Sequence, residues 1–159
     1  MKNKISLLIF ASALAITFAG CASSPKIKPV PWTLAITKTT PASIEMDVIG
    51  VTASDQKYYE AVGWDDYWKP DSQIRRDAPK LTKFLQKGQP WVVSSKDAAW
   101  VQWTKRGSIE LLLVARLPEA GGLWKVPLSI DKNAWKSKNQ TIEVEVLDSR
   151  ILVITPPRD

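Results

Sequence analysis

The sequence predicts an all-β domain, a β-sandwich with one added helix and a partly helical excursion. Two segments, 43–51 and 140–148, alternate apolar and polar residues as half-buried strands do. Segment 109–117, "IELLLVARL", is a nearly continuous apolar run of the central-strand type. About seven or eight strand-like segments with a single strong helix pattern are typical of a sandwich.

The first twenty residues have the parts of an export signal. Lys2 and Lys4 precede the apolar core of residues 5–18, and small residues stand directly before Cys21. The segment "FAGC" resembles the lipobox of bacterial lipoproteins, which implies cleavage before Cys21 and attachment of lipid to its thiol. We therefore predict a lipoprotein signal peptide at 1–20, a lipidated tether at 21–31 and a periplasmic domain at 32–159. Under the lipoprotein sorting rule, the residues after Cys21 imply the outer membrane.

The domain opens with two strands and a short link. Segment 32–37 is rich in β-formers, and segment 43–51 places Ile44, Met46 and Val48 on one face, with acidic residues on the other. The link "KTTPA" between them is typical of a turn.

Residues 53–79 form a polar excursion that contains five aromatic residues and interrupts the strands. Ser54 or Asp55 can cap a helix through "QKYYEAV", and Gly63 can end it. Long insertions of this kind within a compact domain are often functional or partly structured.

The remaining elements follow in order. Segment 94–107 is the clearest helix, with Ser94 and Asp97 at capping-box spacing and Gly107 after its last turn. The other segments predict strands: 80–86, 91–95, 109–117, 123–130, 140–148 and 151–155.

The composition excludes several kinds of chemistry. The chain has no histidine, and its one cysteine is the predicted lipid site, so neither a Ser-His nor a Cys-His nucleophile can form. The net charge is +6 and is spread along the chain, with no basic motif for nucleic acid. We predict no enzymatic activity, no catalytic residues and no cofactor apart from the covalent lipid.

Acidic residues of the excursion form the densest polar group. Asp65, Asp66 and Asp71 could serve as hydrolase carboxylates or as oxygen ligands for a cation. Their spacing matches no EF-hand loop, and adjacent acids are commonly helix caps or solvated turn residues. We therefore predict no metal site.

The aromatic residues of the excursion are the main binding candidates. Tyr58, Tyr59, Trp64 and Trp68 could form a partner-binding surface, since Trp and Tyr dominate interface hot spots. The alternative is that they fix the excursion to the sandwich as a second core, with their indole N–H groups hydrogen-bonded.

The order of lipobox, tether, two strands, aromatic excursion and C-terminal strands resembles that of a known family. Segments 50–68, "GVTASDQKYYEAVGWDDYW", and 109–154, "IELLLVARLPEAGGLWKVPLSIDKNAWKSKNQTIEVEVLDSRILVI", are similar to the TssJ (SciN) family of type VI secretion outer-membrane lipoproteins. The resemblance implies a β-sandwich of the transthyretin-like or C2-like kind with an added helical piece. It also implies a subunit that anchors a trans-envelope complex by binding the periplasmic part of the inner-membrane protein TssM. The loop between the first two strands is long in that family and contributes to binding, but here it spans only 38–43. We therefore place the contact surface on the excursion.

Two functions remain as hypotheses. The first is an anchoring or assembly subunit of a type VI-like complex. The second is a glycan- or peptidoglycan-binding lipoprotein that stacks sugar rings on Trp64 and Trp68. A carboxylate-dependent hydrolase is a distant third.

Overall fold

A computed structural model describes residues 32–119, 123–136 and 140–158, and these form two four-stranded sheets packed face to face. The predicted signal peptide, Cys21 and the tether lie outside the described residues. The strands are β1 (Thr33–Lys38), β2 (Ile44–Thr52), β3 (Lys80–Leu85), β4 (Trp91–Ser94), β5 (Ser108–Ala115), β6 (Lys125–Ser129), β7 (Thr141–Val146) and β8 (Ile151–Val153). The predicted β-sandwich is confirmed.

The two sheets divide the chain between them. One has the order β4-β1-β7-β8 and the other β3-β2-β5-β6. β1 pairs parallel with β7, whereas all other pairs are antiparallel. β1 therefore lies between β4 and β7, although β7 is more than 100 residues later in the sequence.

Alternating side chains from both sheets fill the main core. Ile142, Val144 and Val146 of β7 are almost fully buried, as their alternation predicts. They meet the inward residues of β2, among them Met46 and Val48.

Four α-helices accompany the sheets, where the sequence predicted one full helix and a partly helical segment. They are α1 (Gln56–Ala61), α2 (Trp64–Trp68), α3 (Gln73–Asp77) and α4 (Ala98–Lys105), and a 3₁₀ turn spans Lys132–Ala134. No helix among the described residues is long and apolar enough to cross a membrane.

Helix α4 confirms the strongest helix prediction, with a shifted start. Asp97, not Ser94, is its N-cap residue, although the Asp97 carboxylate accepts a hydrogen bond from the Ser94 N–H at 2.6 Å. Gly107 follows the helix with φ +75°, the left-handed conformation that favours glycine there. Trp103 of α4 packs directly over Gly50, where any Cβ atom would lie 2.3 Å from the indole.

Candidate functional site

The excursion covers the outer face of the β3-β2-β5-β6 sheet. β2 and β5 are apolar on both faces: inward residues enter the main core, while Ile49, Val51, Leu112 and Val114 point outward. Helices α1 and α2 and the link after α3 place side chains over them and so build a second apolar cluster. The sandwich thus has a third layer on one side, made by α1, α2 and α3.

The four predicted partner-binding residues divide between this cluster and the surface. Tyr59 and Trp68 are buried, and Trp64 is half-buried against them. Tyr58 is 53% exposed, and its ring meets the Tyr59 ring edge-on with 5.4 Å between centroids. Three of the four side chains therefore pack in the second cluster, as expected if the aromatic residues fix the excursion to the sandwich. Among these four, only Tyr58 is largely exposed to solvent.

Within the described chain, two indole N–H groups of the cluster lack the hydrogen bonds that buried tryptophans usually make. Those of Trp64 and Trp68 are buried and have no hydrogen-bond partner among the described residues. In contrast, Trp32, Trp103 and Trp135 each donate to a backbone carbonyl oxygen at 2.7–2.9 Å. The expectation that burial of the excursion tryptophans would be matched by hydrogen bonds is wrong for these two.

A buried carboxylate that the sequence did not single out ties the third layer to the sheet. Asp47 of β2 is fully buried, and its Oδ2 accepts hydrogen bonds from Tyr67 Oη at 2.9 Å and Arg75 Nε at 2.8 Å. Its Oδ1 accepts one from Thr82 Oγ1 at 2.5 Å. Arg75 also donates to Glu45 Oε1 at 2.6 Å, so one guanidinium bridges two carboxylates of β2.

The electrostatics of this network favour a neutral tyrosine and a charged arginine. Burial raises the pKa of Tyr67, and the Asp47 charge and hydrogen bond raise it further. Partial burial lowers the pKa of Arg75, but hydrogen bonds and charges of Asp47 and Glu45 outweigh that effect and raise it overall. The guanidinium also lies 4.3 Å from the centroid of the Trp68 ring, a cation–π contact.

A second cation fixes the end of α1. Lys125 Nζ of β6 donates to the carbonyl oxygens of Tyr59, Glu60 and Val62 at 2.9, 2.6 and 2.8 Å. Carbonyls at the end of a helix lack partners within it, so the ammonium satisfies them. Burial lowers the pKa of Lys125, partly opposed by the Glu60 charge.

The acidic residues of the excursion do not converge. Asp65 and Asp66 occupy the first turn of α2, where negative charge suits the helix N-terminus, and Asp71 is exposed in the following turn. In the part of the chain that the structure describes, no three His, Cys, Asp or Glu side chains are grouped to hold a metal ion.

The link between β1 and β2 is short and clamped. It comprises the five residues 39–43, and Lys38 Nζ, fully buried, donates to Thr40 O at 2.7 Å and to Thr40 Oγ1. Thr40 Oγ1 in turn donates to Asp148 Oδ1 at 2.5 Å, which joins the link to the β7–β8 turn.

No family model and no curated protein matches the chain. Solved structures do match its fold at low sequence identity. The T6SS lipoprotein TssJ1 from Pseudomonas aeruginosa is 11% identical with a TM-score of 0.54, over 83% of this chain and 100% of that one. Serratia marcescens Lip, a membrane-bound component of the type VI secretion system, is 14% identical with a TM-score of 0.50, over 83% and 98%.

A third match is a chain from a structure of the T6SS protein TssM C-terminal domain from EAEC. It is 13% identical, with a TM-score of 0.56 over 77% of this chain and 99% of that chain. The resemblance predicted from the order of elements is thus confirmed at the level of the fold. The protein has the β-sandwich fold of the type VI secretion lipoprotein TssJ.

Proposed function

We propose that the protein is an outer-membrane-anchored lipoprotein, a non-enzymatic assembly subunit of a type VI-like secretion complex that binds the periplasmic part of a TssM-like inner-membrane protein. The observation that supports this most is the fold, which spans nearly the full length of chains from T6SS lipoproteins. The predicted lipid on Cys21 supplies the membrane anchor. The lack of histidine supports a role without catalysis.

The exposed part of the excursion is the proposed contact surface. Tyr58 borders a shallow cavity of about 250 Å³ that is also lined by Tyr59, Gln73, Ile74 and Asp77. A half-exposed tyrosine beside an apolar side chain and polar groups has the composition of an interface hot spot. Since Tyr59 and Trp68 are buried, their contribution is to hold Tyr58 and α3 in place.

The glycan-binding alternative requires an open aromatic platform. Trp68 is only 4% exposed, with the Arg75 guanidinium over its ring and the Tyr67 ring edge-on at 5.2 Å. A sugar ring therefore has no open Trp68 face on which to stack, and Trp64 is itself half-buried against the same cluster. This geometry favours the assembly role.

The test is co-purification of the tagged, lipidated protein from its own cells after crosslinking. We expect an inner-membrane protein with a periplasmic domain in stoichiometric amount, and loss of membrane attachment in a Cys21→Ser variant. Tyr58→Ala should weaken recovery of the partner about tenfold or more, the scale of a hot-spot residue. Val101→Ala removes a side chain that is 43% exposed on α4 and is the matched control, with recovery unchanged.

Recovery of only peptidoglycan fragments or porins, with no stoichiometric partner, would refute the assembly role. Equal recovery with Tyr58→Ala and Val101→Ala would refute the proposed surface while leaving the role intact.

A further inference from the structure

On the other side of α3 from Tyr58 lies a second, larger cavity with an unusual charge. It has a volume of about 500 Å³ and five cationic side chains in its wall: Lys69, Arg75, Arg76, Lys80 and Arg116. No acidic residue lines it. The segment around α3 and the outer face of the sheet together make this basic cavity.

The carboxylates near the wall do not neutralise it. Arg75 is paired with Glu45 and Asp47, and Arg76 makes one exposed contact of 3.6 Å with Asp77. Counted over these ion pairs, three carboxylates stand against the five cations of the wall.

Three cations of the wall have no acidic partner in the described part of the chain. Lys80 Nζ donates to the carbonyl oxygen of Arg75 at 2.5 Å, and Lys69 and Arg116 make no ion pair there. Lys69 and Arg116 are both exposed and free to turn toward a ligand. Arg75, by contrast, is held rigidly by its bonds to β2, so the floor of the cavity is preorganised.

The cavity lies near the end of the sandwich that is remote from the start of β1. The chain enters the domain at Thr33, and β1 extends about 20 Å to Lys38 at ~3.3 Å per residue. β2 then starts at that far end, and Arg116, just after β5, donates its backbone N–H to Glu45 O at 2.8 Å. The basic cavity therefore lies toward the end of the sandwich opposite Thr33.

An exposed aromatic ring lies beside the basic wall. Phe84 of β3 is the cross-strand neighbour of Glu45 and is 63% exposed. Residues directly opposite each other in antiparallel strands point to the same face, so Phe84 shares the outer face with the Arg75–Glu45 pair. Cations next to an exposed apolar ring suit a peptide with acidic and apolar side chains better than they suit a free phosphate.

We propose that this basic cavity binds an acidic segment of a protein partner, with carboxylates received by Lys69 and Arg116. The identification of that partner as the inner-membrane subunit rests on the proposed function. Arginine is suited to the role because its planar guanidinium can hold a carboxylate through two parallel hydrogen bonds.

The first experiment measures binding of a labelled synthetic peptide, rich in glutamate with one leucine, to the purified lipidated protein in detergent. The reference peptide has glutamine in place of every glutamate. We expect saturable binding of the glutamate peptide alone, weakening as salt rises. Lys69→Glu/Arg116→Glu should lower the affinity about tenfold or more, and Lys69→Gln/Arg116→Gln by a smaller factor.

Lys57→Glu/Lys87→Glu is the matched control, because it makes the same change in net charge at two exposed lysines outside the cavity. We expect its affinity to stay within about twofold of the starting protein, as distant exposed charges are largely screened. Near-ultraviolet circular dichroism verifies folding of each variant, and the milder glutamine pair tests the proposal if the glutamate pair does not fold.

Equal binding of the two peptides, or equal loss in cavity and control variants, would overturn the proposal. So would phosphate or phosphatidylglycerol vesicles that displace the glutamate peptide and bind with the same dependence on Lys69 and Arg116, because the site would then be one for phosphate groups.

Co-purification separates this proposal from the assembly role. If the Lys69/Arg116 variant still recovers the inner-membrane partner in full, the cavity is not its receptor and the inference fails, while the assembly role stands. If the unaltered protein recovers no partner but binds the glutamate peptide at the cavity, the assembly role fails and the acidic-peptide site is retained with a different partner.

Discussion

Replacement of Arg75 by leucine should destabilise the domain far more than replacement of its neighbour Arg76. Arg75→Leu removes two hydrogen bonds from the fully buried Asp47 carboxylate and one from Glu45. Asp47 then retains only the hydroxyl groups of Tyr67 and Thr82. A buried charge that loses its partner costs about 3–5 kcal/mol.

The lower end of that range applies here. The Arg75 side chain is 23% exposed and that of Glu45 is 16% exposed, so water compensates part of the lost pairing. We expect a loss of about 3 kcal/mol, a large share of the ~5–15 kcal/mol that stabilises a typical domain.

Arg76→Leu is the internal control. Its guanidinium lies 3.6 Å from Asp77, and both side chains are more than 60% exposed, at 68% and 62%. Exposed ion pairs contribute about 0–1 kcal/mol, so this variant should unfold almost as the original protein does. Both substitutions replace an arginine of α3 by leucine, at adjacent positions.

Urea unfolding followed by tryptophan fluorescence provides the measurement. With a slope of about 2 kcal/mol per molar urea, the Arg75→Leu midpoint should fall by about 1.5 M. The double variant Asp47→Leu/Arg75→Leu should recover part of the loss, because it removes the stranded charge. Midpoints of the Arg75 and Arg76 variants that agree within about 0.3 M, or a double variant less stable than Arg75→Leu, would refute the reasoning.

Three further predictions concern packing, capping and ionisation. Gly50→Ala should lower the free energy of unfolding by about 3 kcal/mol or more, because its Cβ would overlap the buried Trp103 indole. Gly63→Ala, measured by the same urea assay, should lower it by less than about 1 kcal/mol, because its Cβ would meet only one atom, at 3.7 Å. Lys125→Met should leave three carbonyls at the end of α1 without their donor, and hydrogen exchange should accelerate there but not in α4; equal protection would contradict the capping role. Because the pKa of Tyr67 is raised on folding, stability should fall above about pH 10 by up to ~1.4 kcal/mol per unit, as the unfolded chain releases the proton first. Urea midpoints at about pH 9 and 11 should differ less in Tyr67→Phe than in the original protein, and an identical difference would exclude this cause.

The sandwich could be predicted because its signals are local. Alternation in β2 and β7 and the apolar run of β5 depend only on which side chains must face the core. The glycine after α4 is likewise a local requirement, since the residue there has positive φ. These elements appear where the sequence places them.

The third layer could be predicted only in part, because it depends on contacts between distant residues. Alternation assigned Asp47 to the outward face of β2, and it does point outward, but α2 and α3 cover it completely. One signal was present: from Val48 onward β2 is apolar on both faces, so the outward side required a cover. The pairing of Asp47 with Arg75 has no such signal, since the two residues are 28 positions apart.

The same contacts explain why the predicted site residues behave differently from one another. Tyr58 and Tyr59 are adjacent in the sequence, yet a helix turns successive side chains about 100° apart, so one faces solvent and the other the cluster. The burial of Tyr59 raises its pKa to about 12, with the Asp55 charge adding to the effect. Composition identified the segment, but only the packing separates its binding candidates from its core.

The location proposed for a partner surface follows from surface chemistry more than from the fold. The five-residue link between β1 and β2 is clamped by Lys38, Thr40 and Asp148, which leaves little chain there to reach a partner. The excursion, in contrast, presents Tyr58 on one side of α3 and the basic cavity on the other. Because a fold tolerates many different sites, a chain with the TssJ fold and a shortened loop can place its contacts on this third layer instead. The network around Asp47 also fixes α3, the helix that borders both proposed surfaces.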